Sequence, residues 1–190
     1  SLFREKHLSA KESITEAITW FFNNVEEGII LEDDCVVSDS FFRLASELLE
    51  KYRDEPRVMQ IGASNFQRGE KRSKDSYYFS RNCYIWGWAT WRRAWEFFEL
   101  DPDRIGRDRF CQAIDAMFSS KAERSYWKYM FDYVQSGKID TWDYQWMFNV
   151  WLNDGLAVVP CVNSVSNVGF GPGATNTTNE SFNLANLPVE

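Results

Sequence analysis

Histidine is almost missing from this sequence: His7 is the sole one among 190 residues. Any Ser/His/Asp or Cys/His nucleophilic relay would have to run through that N-terminal position, so acid–base chemistry falls to carboxylates. The four cysteines, Cys35, Cys83, Cys111 and Cys161, form no CxxC pair and are widely and irregularly spaced. Zinc sites need clustered soft ligands, and a chain of this size does not need disulfide stapling, so free thiols in a reducing compartment are expected. No apolar run approaches the length of a membrane span. The first residues, Ser1 to Lys6, have neither the apolar core nor the small-residue site of a signal peptide. Without an initial Met, the chain is expected to start part-way through a longer gene product. A basic face is also lacking: Lys plus Arg is 21 against 28 Asp plus Glu, a net charge of −7. That argues against a nucleic-acid partner. These absences describe a cytoplasmic chain with no membrane span, with a peripheral membrane association left open.

Aromatic side chains are what the sequence has in excess. There are 9 Trp, 8 Tyr and 15 Phe, 17% of the residues, and all the Trp but Trp20 fall between Trp86 and Trp151. Length and composition fit a single α/β domain over 1–190, with a helix–strand–helix–strand part at 1–62, a Trp-rich half at 77–170 and a tail at 171–190. Ser9 and Glu12 make a capping box, and Ile14, Ala17, Ile18, Phe21, Phe22 and Val25 follow helical spacing, which predicts a helix over 9–25. Gly28 ends it. Ile29-Ile30-Leu31 predicts a short buried strand, followed by a helix over about 40–52 and a strand at 58–62. Buried strands alternating with helices predict a sheet with parallel pairs. A polar, basic surface loop is expected over 67–76, and a strand at 77–79. Thr90 is a plausible N-cap for a helix carrying Trp91 and Trp95. Further helices are expected over about 108–118, 121–136 and 143–153, with a last strand at 158–159 and a loop beyond 163.

The chemistry-bearing feature is Glu32-Asp33-Asp34 at the end of the first strand. In open α/β sheets ligands bind outside the carboxyl ends of strands. Adjacent carboxylates repel, and a hard divalent cation would offset that repulsion; Mg²⁺ and Mn²⁺ take carboxylate, phosphate and water oxygens. The triplet therefore suits a metal–diphosphate site. The alternative is an acidic turn before a helix whose own N-terminal residues are Asp39 and Ser40.

Gly28 to Phe42 resembles the metal-binding segment of GT-A-fold glycosyltransferases. It is similar to the Glu-Asp-Asp and Phe-Phe helix of the N-acetylglucosaminyltransferase I group, and closer to bacterial nucleotide-diphospho-sugar transferases. Three further collinear stretches resemble those enzymes: Trp86–Trp95, Thr141–Met147 with its Trp-Asp core, and Val159 to Gly171. The resemblance implies a GT-A-like, Rossmann-like mixed sheet flanked by helices, lacking the opening strand and turn that grip the nucleotide. It implies a metal-dependent, inverting transfer of sugar from a nucleotide-sugar donor to a carbohydrate or other hydroxyl acceptor. Asp34 would ligate Mn²⁺ or Mg²⁺ on the donor diphosphate. Glu32 and Asp33 would contact the donor's ribose or sugar, or orient metal-bound water. Asp143 would be the general base, desolvated by Trp142 and Trp146; its residue-level alternative is a helix N-cap. Trp86, Trp88, Trp91 and Trp142 are the expected acceptor-lining rings, with core packing as the alternative. Asn176 stands where related bacterial sequences often carry His, which weakens the expected diphosphate site. A catalytically inactive carbohydrate-binding or scaffold domain is the second reading. A different Mg²⁺-dependent nucleotidyl transferase is a third, without the Gly-rich phosphate loop it would need.

Overall fold

In the computed structural model of the chain, residues 8–70, 74–170 and 184–189 are described. The elements in chain order are α1 (Ala10–Phe22), β1 (Glu27–Ile30), β2 (Cys35–Val37), α2 (Asp39–Lys51), β3 (Val58–Gly62), β4 (Tyr77–Ser80), β5 (Trp88–Trp91), α3 (Arg92–Trp95), α4 (Pro102–Ile105), α5 (Arg107–Met117), α6 (Lys121–Gln135), α7 (Asp143–Leu152), β6 (Leu156–Pro160) and β7 (Val165–Asn167). They group into two compact units, each discontinuous in sequence. One comprises Ser1–Glu26 and Arg92–Gly155; the other comprises Glu27–Trp91 and Leu156–Glu190. The halves expected at 1–62 and 77–170 cut across this division.

The second unit holds the sheet. Five strands run in the order β1-β5-β3-β6-β4, and β2 and β7 form a separate two-stranded ribbon. Only β3 and β6 pair in parallel; β1–β5, β3–β5 and β4–β6 are antiparallel. The fold is therefore mixed α/β, with more antiparallel pairing than the alternation of elements suggested. The expectation of a buried first strand is corrected: β1 lies at the edge of the sheet, and all four of its residues are half-buried. The central β3, Val-Met-Gln-Ile-Gly, is buried throughout. Helix α2 lays Phe41, Ala45, Leu48 and Leu49 onto the sheet residues Val58, Ile61, Ala89, Trp91 and Val158. The Trp91 indole N–H donates to the Leu49 carbonyl at 3.1 Å, so burying the ring leaves no polar group unsatisfied.

Thr90 caps no helix. Residues 88–91 form β5, with Thr90 fully buried and its hydroxyl donating to the Met59 carbonyl at 2.6 Å. The helix that follows is only Arg92–Trp95. Tertiary burial and β-propensity of Trp and Thr outweigh a local capping pattern here.

The first unit is helical and aromatic. α1 keeps its predicted capping box: Ser9 Oγ accepts from the Glu12 N–H at 3.3 Å, and Glu12 Oε2 accepts from the Ser9 N–H at 3.2 Å. Trp95 stacks on Phe98 with centroids 4.3 Å apart and packs on Trp146 at 5.3 Å. A second cluster joins Phe110, Phe131, Phe148 and Trp151 along α5, α6 and α7. Most of the tryptophan excess of the sequence is thereby core. Among the described residues no helix is long and apolar enough to cross a membrane.

Candidate functional site

The acidic triplet occupies the turn between β1 and β2. The Cys35 N–H closes it on the Glu32 carbonyl at 3.1 Å. Asp33 is exposed, and Glu32 and Asp34 are half-buried. The triplet is not the cap of α2, because β2 intervenes and that helix starts at Asp39 after Ser38. Three short-range features fix Asp34. Its carbonyl accepts from the Val168 N–H at 2.9 Å, continuing the β2–β7 ribbon. Its carboxylate accepts from the Cys35 thiol at 3.5 Å. And it lies flat against Gly169: a Cβ there would overlap Asp34 Oδ2 and sit 2.7 and 2.8 Å from its Cβ and Cγ. Only glycine admits a carboxylate so close to the chain. Gly169 is held in turn by its N–H donating to Asn167 Oδ1 at 2.8 Å.

The next residue, Phe170, meets Trp86 edge to face with centroids 5.7 Å apart, and Trp86 packs likewise on Phe66 at 5.5 Å. The structure thus links Asp34 to Trp86 through Gly169 and Phe170. Gly87 makes the bend between Trp86 and Trp88, with φ +65°. A Cβ there would fall 3.0 Å from Val37 Cγ1 and 3.3 Å from Ala63 Cβ. Trp86 keeps exposed surface, whereas Trp88 is 0% exposed and Trp91 and Trp142 are buried. A ring without exposed surface offers no face to a sugar, so the burial of Trp88, Trp91 and Trp142 favours packing over the acceptor role expected of them; of the four, only Trp86 keeps exposed surface.

The donor set at the turn is hard. Burial first, and then the Asp34 and Glu32 charges, push the Cys35 thiol up to about 12. Among the described residues no group of three or more His, Cys, Asp or Glu side chains converges as a metal cage. One carboxylate with two acidic neighbours fits Mg²⁺ or Mn²⁺ only as an ion that shares phosphate and water oxygens.

Asp143 and Trp142 belong to the other unit. Asp143 is the first residue of α7, one place inside the expected N-cap; Trp142 holds the cap position and makes no side-chain capping bond. The Asp143 carboxyl is contacted by the Thr141 hydroxyl. Burial pushes it above the ordinary carboxylate range, against the backbone N–H groups of Tyr144 and Asp143, which pull it down. Trp142 and Trp146 are both buried in the surrounding aromatic core. Sequence reasoning missed the polar ladder beside it. Gln145 Nε2 donates to the Thr141 carbonyl at 2.9 Å, and Asn149 Nδ2 donates to the Gln145 carbonyl at 2.7 Å. Gln145 Oε1 is buried with no hydrogen-bond partner among the described residues. The available signal was two amides on the apolar face of a helix pattern, at i and i+4.

The same unit as the triplet contains a cavity of about 130 Å³ lined by Phe66, Arg68, Cys161, Val162, Leu184 and Leu187 among others; none of the expected site residues lines it. Asn176 lies outside the described residues. No protein-family model matches the chain, and no curated protein matches it.

Proposed function

We propose that the chain carries the metal–diphosphate side and the general base of a GT-A-like, inverting glycosyltransferase. The observation that carries this reading is the Asp34 carboxylate seated on Gly169 in the turn after β1, with Glu32 and Asp33 beside it. A bare acidic turn gains nothing from such close positioning; a ligand to a shared ion does. Asp34 would hold Mn²⁺ or Mg²⁺, with Glu32 and Asp33 meeting the donor's ribose or sugar or orienting coordinated water. When bound, the cation supplies Lewis-acid stabilisation of the departing nucleoside diphosphate. Asp143, in the other unit, would be the general base for the acceptor hydroxyl, a role supported by the raised pKa that burial gives its carboxyl. Trp86, half-buried, would offer its remaining surface to an acceptor sugar. The donor is a nucleotide sugar, the acceptor a carbohydrate or other hydroxyl compound, and the setting cytoplasmic.

Incubation with Mn²⁺ and UDP- or GDP-sugars, read as released nucleoside diphosphate, tests this. Hydrolysis or transfer should require the metal and vanish in Asp34→Ala. A second reading is a carbohydrate-binding or scaffold domain of the same fold without catalysis. Glycan binding that needs no metal and survives Asp34→Ala would select it.

A further inference from the structure

Far along the sequence from the acidic turn, the end of α2 and the edge strand β4 place a lysine and two tyrosines around a single oxygen. Lys51 is the last residue of α2, Tyr52 its C-cap, and Tyr77 the first residue of β4. Lys51 Nζ donates to Tyr77 Oη at 2.8 Å, and the hydroxyls of Tyr52 and Tyr77 are 2.7 Å apart. The ammonium also sits over both rings, 5.2 Å from the Tyr52 centroid and 5.5 Å from that of Tyr77. Tyr52, Tyr77 and Phe79 meet pairwise edge to face, with centroids 6.4, 5.7 and 6.1 Å apart, which holds the Tyr77 ring in place. Phe79 is itself exposed.

We propose that Tyr77 is a nucleophilic tyrosine, a covalent modification site for small activated sulfonyl or phosphoryl electrophiles. Lysine can only donate, so Tyr77 Oη always accepts from it. With Tyr52 donating as well, the phenolate of Tyr77 has two hydrogen bonds and a full positive charge beside it, the arrangement that activates a nucleophile in place. Partial desolvation raises both phenols, but the Lys51 and Tyr52 hydrogen bonds and the Lys51 charge bring Tyr77 below its ordinary value despite the opposing Asp75 charge, while Tyr52 stays above its own. The same ammonium would donate to the phosphoryl or sulfonyl oxygens, on which negative charge builds as the new bond forms. In the step, Tyr77 Oη attacks the sulfur or phosphorus. The new O–S or O–P bond forms as the bond to the leaving group breaks and that group departs with the electron pair. The phenolic proton passes to solvent.

The structure also supplies an internal control. Tyr129 on α6 is 61% exposed and stacks on Tyr133; exposure alone would favour it. The full chain is treated with an arylsulfonyl fluoride at neutral pH, and modified tyrosines are mapped by peptide mass spectrometry over time. Tyr77 should be sulfonylated severalfold faster than Tyr129, because the Lys51 ammonium and the Tyr52 hydroxyl lie against its oxygen. Lys51→Met should bring Tyr77 to the Tyr129 rate, and Lys51→Arg, which keeps the charge and donors, should restore most of the difference. Labelling of Tyr77 no faster than Tyr129 in the unaltered chain overturns the proposal, whatever the variants do. So does fast Tyr77 labelling that Lys51→Met leaves unchanged.

Discussion

Gly169→Ala is the sharpest structural perturbation of the proposed site. The added Cβ would overlap Asp34 Oδ2 and lie 2.7 Å from Asp34 Cβ and 2.8 Å from Cγ. Carbon atoms normally rest about 3.5–4.0 Å apart, so one of the two segments must move by about 1 Å. The backbone of both is pinned, Asp34 by its carbonyl bond from the Val168 N–H and Gly169 by its N–H bond to Asn167. Such overpacking costs about 1–3 kcal/mol, and each kcal/mol lowers Tm by about 2–4 °C in a protein of this size. A ligating carboxylate displaced by about 1 Å should lower metal-dependent turnover by about a hundredfold. Thermal unfolding reads the first effect and Mn²⁺-dependent nucleoside diphosphate release the second. Asp34→Gly added to Gly169→Ala removes the clashing side chain, so stability should return while activity does not, a coupling that a double-mutant cycle isolates. A Gly169→Ala protein with unchanged Tm and unchanged turnover would refute the close seating of Asp34 and its role together.

Three other outcomes follow from the same geometry. Asp143→Asn should abolish transfer and stabilise the fold. A carboxyl whose native pKa is raised binds more protons folded than unfolded in the window between the two values, so its contribution to stability falls as pH rises through the native pKa. The difference in unfolding free energy between Asp143→Asn and the parent should grow from acid towards neutral pH, and a flat difference would contradict the raised pKa. Trp88→Ala should cost about 3–5 kcal/mol in denaturant melts because the ring is wholly buried, whereas Trp86→Ala should spare stability more and weaken acceptor binding. Ser9→Ala should cost about 1 kcal/mol through loss of the capping box, with no effect on metal or donor binding.

Much of the secondary structure was legible because local signals and burial agree. The capping box and apolar spacing placed α1 within a few residues, and the amphipathic pattern of α2 and the apolar run of β3 were equally plain. Pairing was not legible. The β1 run reads as a buried strand, yet its place at the sheet edge depends on contacts far away in sequence with β5. The three-residue strands of the β2–β7 ribbon carry too few residues for a periodicity, and β2 is what separates the acidic turn from α2. Local chemistry misled at Thr90, where a capping residue satisfies its hydroxyl inside the sheet. At the site, the acidic triplet announced itself through charge adjacency. The seat for Asp34 did not, because the glycine that forms it is distant in sequence and shows only as a small residue between Val168 and Phe170. Among the tryptophans, composition could not separate ring from ring; burial does, leaving Trp86 half-buried where Trp88, Trp91 and Trp142 are enclosed.

The central claim is that Asp34 binds a divalent cation together with a diphosphate. Isothermal titration of UDP and GDP into the chain, with and without Mn²⁺, tests it most directly. One nucleotide should bind only when Mn²⁺ is present, and Asp34→Ala should remove this binding while the fold persists. Binding that is indifferent to Mn²⁺, or unchanged in Asp34→Ala, would contradict it.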